Sequence, residues 1–147
     1  MSHGSLRQVG AVDGYLPPQD ELTAPWWDAT RERRLVLQSC SACGEVQHHP
    51  RHVCTSCGAT DALGWVGSEG AGVVDTFTVV HRAPRPDLET PYVIARVRLD
   101  DGPVLLSRVV AEDGSLPDVA IGDAVRLAWS PLADGRALPV FTQVEES

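Results

Sequence analysis

Apolar and polar residues alternate along the second half of the chain in short runs that are separated by turn signals. This pattern predicts five strands. In the second of them, Val93 and Val97 alternate with two arginines, so that one face of the strand is apolar. Tight turns at Asp101-Gly102 and Asp134-Gly135 predict two hairpins. The predicted strands cover residues 72–81, 92–100, 103–110, 123–130 and 137–144.

The connection between the third and fourth strands, residues 111–122, is the longest of the series. A five-stranded Greek-key barrel of the OB type has its long connection at this point. Pro117 and two glycines favour a loop over a helix there. The sequence therefore predicts a mainly β protein with an OB-fold barrel over residues 67–147.

A short helix is predicted upstream of the barrel, over residues 23–34. Thr23 is suited to its N-cap and Pro25 to its first turn. A helix of three turns is marginal in water, so we expect it to dock, with Trp26 and Trp27 as anchors. The segment before it, residues 1–22, is interrupted by glycines and prolines, and we interpret it as a flexible N-terminal arm that orders only against a partner.

Two C-x2-C pairs lie between the helix and the barrel. Each short gap lets a tight turn aim two sulfurs at one ion, and the glycine after each pair permits that turn. Four thiolates complete a tetrahedron, so we predict a closed structural zinc site in a module over residues 23–66. Iron in the same cage and two disulfides are the alternatives. The predicted ligands are Cys40, Cys43, Cys54 and Cys57.

The three histidines between the cysteine pairs, His48, His49 and His52, are expected to lie on the surface or pack in the loop, because four cysteines already fill the tetrahedron.

The chain shows no secretory signal pattern, and paired cysteines outside oxidising compartments more commonly bind metal than form disulfides. We therefore expect a cytoplasmic protein.

The net charge of the chain helps to exclude some classes of function. The 147 residues carry a formal net charge of −8, and all twelve basic residues are arginine. This balance argues against a general nucleic-acid binder, and there is no apolar run of about 18 residues to span a membrane.

A positively charged segment follows the first barrel strand, where His81, Arg82 and Arg85 lie in a proline-rich loop. Because loops on a rigid scaffold often carry ligand contacts, we predict that these residues touch a partner or a compact anion.

No catalytic motif is present. The phosphate-binding glycine loops, the nucleophile elbow and the H-E-x-x-H zinc motif are all missing, and the four thiols are assigned to the metal. We name no catalytic residue and expect no enzyme activity from this chain alone.

An ordered series of motifs resembles one family. The series comprises Pro25-Trp26-Trp27, the strand before Cys40, both C-x-x-C-G turns, the segment from Val73 to His81, and Ile121-Gly122-Asp123. It resembles the OB-fold proteins with an N-terminal rubredoxin-like zinc ribbon that are associated with acyl-CoA enzymes, over about residues 23–145.

The resemblance implies a short helix, a rubredoxin-like zinc ribbon and a five-stranded OB-fold barrel in one chain. It also implies a small accessory subunit that docks on a thiolase-like enzyme, such as a thiolase, a lipid-transfer-protein-type aldolase or a ketosynthase. Such a subunit would support acyl-CoA processing in lipid or steroid degradation or in acyl-chain biosynthesis. The predicted partner or CoA contacts are Trp26, Trp27, His81, Arg82 and Arg85. The alternative function is a nucleic-acid-binding or regulatory module built from the same ribbon and barrel.

Overall fold

The computed structural model describes residues 16–86 and 88–144. They contain one short helix and eight strands, which form a three-stranded sheet and a five-stranded barrel. The mainly β architecture and the five barrel strands are confirmed, with every strand boundary within one residue of the prediction. The bounds are α1 Ala24–Arg31, β1 Leu35–Cys40, β2 Val46–Gln47, β3 Leu63–Ser68, β4 Ala71–Val80, β5 Tyr92–Leu99, β6 Val104–Val109, β7 Ala124–Pro131 and β8 Ala137–Gln143.

Residues 1–15, most of the predicted N-terminal arm, lie outside the described residues, so the expected flexibility of the arm stays a prediction. The division of the chain into arm, zinc-ribbon module and barrel also stays a prediction. No helix in the described part of the chain is long and apolar enough to cross a membrane.

Helix α1 starts where predicted, with Thr23 as its N-cap residue, but it differs from the prediction in its capping and in its end. It begins after Thr23 but is not capped by that side chain. The backbone of Thr23 is already helical, with φ −93° and ψ −10°, whereas a capping side chain needs an extended backbone. Thr23 instead pairs with Asp20, whose N–H donates to Thr23 Oγ1 at 3.0 Å and whose carboxylate accepts from Thr23 N at 2.9 Å. The predicted continuation to residue 34 is wrong, because Arg33 turns to a φ of 57°.

The first three strands form an antiparallel sheet in the order β2-β1-β3, and the other five close a barrel in the order β4-β5-β6-β8-β7. The barrel closes through a short parallel contact of β6 with β8, in which Val109 is paired with Phe141. Nearby, Ser107 Oγ donates to the carbonyl of Pro139 at 2.7 Å. Because proline has no N–H to donate, this part of the seam carries few backbone bonds.

Helix α1 docks on the barrel through polar contacts as well as its tryptophans. Thr30 is fully buried, and its Oγ1 donates to the carbonyl of Trp27 at 2.6 Å and accepts from Ala137 N of β8 at 3.2 Å. Arg136 is also buried, and its guanidinium carbon lies 4.6 Å from the centre of the Trp27 ring. Its Nε donates to the carboxylate of Asp134 at 2.7 Å, and its second terminal nitrogen donates to the carbonyl of residue 17 at 2.8 Å.

We predict that Thr30→Val lowers the free energy of unfolding by about 1–3 kcal/mol, because it leaves the buried Ala137 N–H without an acceptor while preserving side-chain volume. Urea denaturation of the purified chain measures this. Thr78→Val, an exposed position on β4, is the matched control and is expected to be nearly neutral. Equal effects of the two substitutions would contradict the role assigned to Thr30.

Candidate metal centre and adjoining cavity

The two C-x2-C pairs form the same turn twice. In the first, Gly44 N donates to the carbonyl of Cys40 at 2.7 Å, and in the second, Gly58 N donates to the carbonyl of Cys54 at 2.9 Å. The N–H of Cys40 and that of Cys54 each donate to a carbonyl five residues later, both at 2.9 Å. The two glycines have φ values of 83° and 79°, in the left-handed region that side-chain-bearing residues avoid. Each turn therefore needs glycine directly after its second cysteine.

These turns bring the four sulfurs into one cluster in which all ligand atoms lie within 4.8 Å of one another. The Sγ atoms of Cys40 and Cys57 are 3.7 Å apart, and those of Cys43 and Cys54 are 3.6 Å apart. A regular tetrahedron with metal–sulfur bonds of about 2.3 Å has edges of about 3.8 Å. A disulfide needs about 2.05 Å, so the pairs are spaced for a shared ion and not for disulfides.

The electrostatic surroundings of the cluster favour thiolate at Cys54. The backbone N–H groups of Cys57 and Ser56 both donate to its Sγ at 3.4 Å, and these bonds lower the pKa of the thiol to about 7. Cys40 and Cys54 are buried, whereas Cys43 and Cys57 reach the surface. The donor set, its spacing and its N–H···S bonds fit a structural metal of the zinc-ribbon kind.

Two buried glutamines hold the loop between the cysteine pairs, and sequence reasoning did not single them out. Gln47 Nε2 donates to Gln38 Oε1 at 2.6 Å, and the N–H of Arg51 donates to the same oxygen at 2.8 Å. Gln47 Oε1 accepts from Thr55 N at 3.0 Å. No sequence signal marks this pair, because a polar residue in a short strand ordinarily faces solvent.

The loop histidines pack as expected instead of joining the cluster. The ring of His48 lies 5.7 Å from that of Trp26 and 4.2 Å from that of His49. Burial, with a smaller contribution from the charge of His49, lowers the pKa of His48 to about 4, so it is neutral at physiological pH. His48 is therefore part of the contact between the ribbon and helix α1.

A cavity of about 520 Å³ adjoins this contact. Helix α1 and the loop of residues 48–50 form one side of it, and strands β5, β6 and β8 form the other, beside the sparsely bonded seam of the barrel. Its lining residues are Pro17, Thr23, Trp26, Trp27, His48, His49, Pro50, Ile94, Leu105, Leu106, Ser107, Arg108, Leu138, Pro139 and Val140.

The predicted contact residues are not brought together. Trp26 and Trp27 are each only 8% exposed, because they anchor the helix within the chain, and both line the cavity. His81 and Arg82 are exposed and Arg85 is half-buried, all in the loop between β4 and β5, away from the cavity lining. The role of these five residues toward a partner or CoA stays a prediction.

Two domain families match the chain: the rubredoxin-like zinc ribbon domain of ChsH2 over residues 27–62 and the C-terminal OB-fold domain of ChsH2 over residues 65–130. A probable enoyl-CoA hydratase alpha subunit of Thermomonospora curvata is 40% identical over 119 residues, which are 79% of this chain and 35% of the relative. The chain thus spans about a third of that relative's length.

Two further relatives match most of their own length. A DUF35 domain-containing scaffold protein of Methanocaldococcus jannaschii is 32% identical over 113 residues, which cover 76% of this chain and 79% of the relative. Among solved structures, a chain of the Ltp2-ChsH2(DUF35) aldolase superposes with a TM-score of 0.77 and 36% identity, covering 87% of this chain and 98% of that one.

We predict that Cys43→Ser abolishes stoichiometric metal binding and unfolds the sheet of β1–β3, because three thiolates cannot close the tetrahedron and metal binding supplies folding free energy. Elemental analysis and hydrogen exchange across residues 35–68 measure both effects. Ser56→Ala, an exposed position between two of the ligands, is the control and is expected to keep metal and protection. Full metal content in Cys43→Ser would contradict the four-cysteine site.

Proposed function

The chain belongs to the DUF35 family of ChsH2-type proteins, which join a zinc ribbon to an OB-fold, and from this premise we propose that it is an accessory subunit of a thiolase-like enzyme. The proposal is carried by the superposition on the ChsH2(DUF35) chain of an aldolase complex, which covers nearly all of that chain. Relatives named as scaffold proteins support a structural role instead of a catalytic one.

The proposed reaction context is acyl-CoA processing, in lipid or steroid degradation or in acyl-chain biosynthesis. The name of the Thermomonospora curvata relative, an enoyl-CoA hydratase subunit, supports this context. In this role the chain supplies no nucleophile or base, and the catalytic subunit carries the chemistry. A cytoplasmic location is part of the same proposal.

The loop between β4 and β5 is the proposed docking surface. Arg82 is exposed and makes no ion pair with residues 16–86 or 88–144. By contrast, Arg96 and Arg98 on β5 both pair with Asp75, at 3.6 and 3.0 Å, so the two share one carboxylate within the chain. An exposed, unneutralised arginine on a loop is suited to meet an acidic patch of a partner subunit.

We predict that co-expression with a thiolase-like enzyme encoded beside this chain yields a stable hetero-oligomer by gel filtration. Arg82→Glu is expected to weaken the complex about tenfold, because it reverses a charge at the proposed interface. Arg126→Glu changes another exposed arginine, on β7, and is expected to leave the affinity unchanged.

A chain that stays unassociated beside every such neighbour would contradict the accessory role. Equal affinities of the Arg82→Glu and Arg126→Glu variants would contradict only the docking loop.

We also propose that the ribbon metal is zinc. Four thiolates in a closed tetrahedron suit zinc, although the same cage accepts iron. We expect a colourless preparation with one zinc per chain by elemental analysis. A coloured, iron-containing protein purified from cells grown with both metals would contradict this assignment.

A further inference from the structure

The cavity between helix α1 and the barrel has the size and lining of a small-molecule site. Its volume of about 520 Å³ lies within the range of roughly 300–1,000 Å³ that is typical of ligand pockets. Most of its wall is apolar, with Trp26 and Trp27 on one side and Ile94, Leu105 and Leu138 on the other. Such walls exclude charged occupants unless polar groups are placed to meet them.

Three polar nitrogens in this lining are buried and unpartnered. They are Nε1 of Trp26, Nδ1 of His48 and Nε of Arg108. A buried polar atom without a hydrogen-bond partner costs free energy, and most buried polar atoms in folded proteins have one. The Trp26 side chain is also more than nine-tenths buried. Because a water molecule cannot reach these three atoms, an oxygen in the cavity would meet Arg108 through its terminal nitrogens instead.

Arg108 indicates the charge of that occupant. Its guanidinium carbon lies 4.5 Å from the centre of the Tyr92 ring, and no carboxylate in the described part of the chain pairs with it. The pairing of Arg96 and Arg98 with Asp75 shows that neighbouring arginines of the barrel do have anionic partners. A half-buried guanidinium without one is suited to receive a carboxylate from a ligand.

We propose that this cavity binds an amphipathic carboxylate, whose apolar body lies against the tryptophans and barrel side chains and whose carboxylate accepts hydrogen bonds from the terminal nitrogens of Arg108. The site belongs to this chain alone and does not depend on the proposed partner. It can therefore be tested without a catalytic subunit, so its failure would leave the accessory role standing.

The test titrates the metal-loaded full chain with dodecanoate, methyl dodecanoate and 1-dodecanol, which share an apolar chain and differ in the head group. Calorimetry below the micelle concentration and tryptophan fluorescence measure binding. We expect saturable binding of one dodecanoate per chain, at least about tenfold tighter than the alcohol, because a charge-assisted hydrogen bond is the stronger kind. The methyl ester, which keeps an acceptor carbonyl without the charge, is expected to lie between them.

Matched variants separate the head-group contact from the apolar walls. Arg108→Leu is expected to weaken dodecanoate about tenfold or more and to leave dodecanol unchanged, whereas Arg126→Leu, outside the lining, changes neither. Leu106→Trp places a larger side chain at the lining from a position that is 71% exposed, so folding should tolerate it. It is expected to weaken all three probes.

Several results would overturn the proposal. One is the absence of saturable binding by the unmodified chain. Another is dodecanoate binding that is equal in the Arg108→Leu and Arg126→Leu variants. A third is a chain that binds no probe and forms a dimer that Leu106→Trp disrupts, since a second copy would then cover the cavity.

Discussion

The stacking of the Arg136 guanidinium on the indole of Trp27 joins parts of the chain that have little stability apart. Helix α1 has eight residues, too few to persist in water, and the ribbon beside it has a very small core. A buried cation is costly unless its surroundings compensate for lost water, and here an aromatic face, the carboxylate of Asp134 and the carbonyl of Pro17 all do so. These contacts join the helix to the barrel, and the packing of His48 against Trp26 extends the interface to the ribbon. The cavity lies where that interface is incompletely filled.

The sequence predicts those parts of the fold that depend on local pattern. The barrel strands follow from alternation and from the turns at residues 101–102 and 134–135, and the cysteine cluster follows from two repeated turns. The predicted side-chain cap was wrong for a physical reason: Asp20 competes for Thr23 and draws it into a turn before the helix, a contact that propensity alone does not reveal. The helix end was wrong because Arg33 adopts a left-handed backbone that is uncommon outside glycine and asparagine.

Contacts between residues far apart in the chain could not be predicted in this way. Arg136 follows a hairpin turn and resembles a solvent-exposed residue, yet it is buried because residue 17, 119 positions earlier, packs over it. Arg108 lies on β6, next to the strand of Arg96 and Arg98, and the register that pairs it with Ile94 sets it apart from the carboxylate that those two arginines share. The buried glutamines Gln38 and Gln47 are recognisable only once the loop between the cysteine pairs is folded over them.

The loop of residues 48–50 is part of both the zinc ribbon and the cavity wall. Its ends are fixed by the cysteine pairs, and its side chains form a wall of the cavity. Loss of the metal would therefore loosen that wall, leaving the hydrogen bonds of Gln38 and Gln47 to hold it. Thermodynamic reciprocity then requires that an occupant touching the loop tightens the hold on the metal by the same factor by which the metal tightens the hold on the occupant. Metal binding and cavity occupancy are thus coupled equilibria, so a chain that lacks its metal would also bind a cavity ligand more weakly.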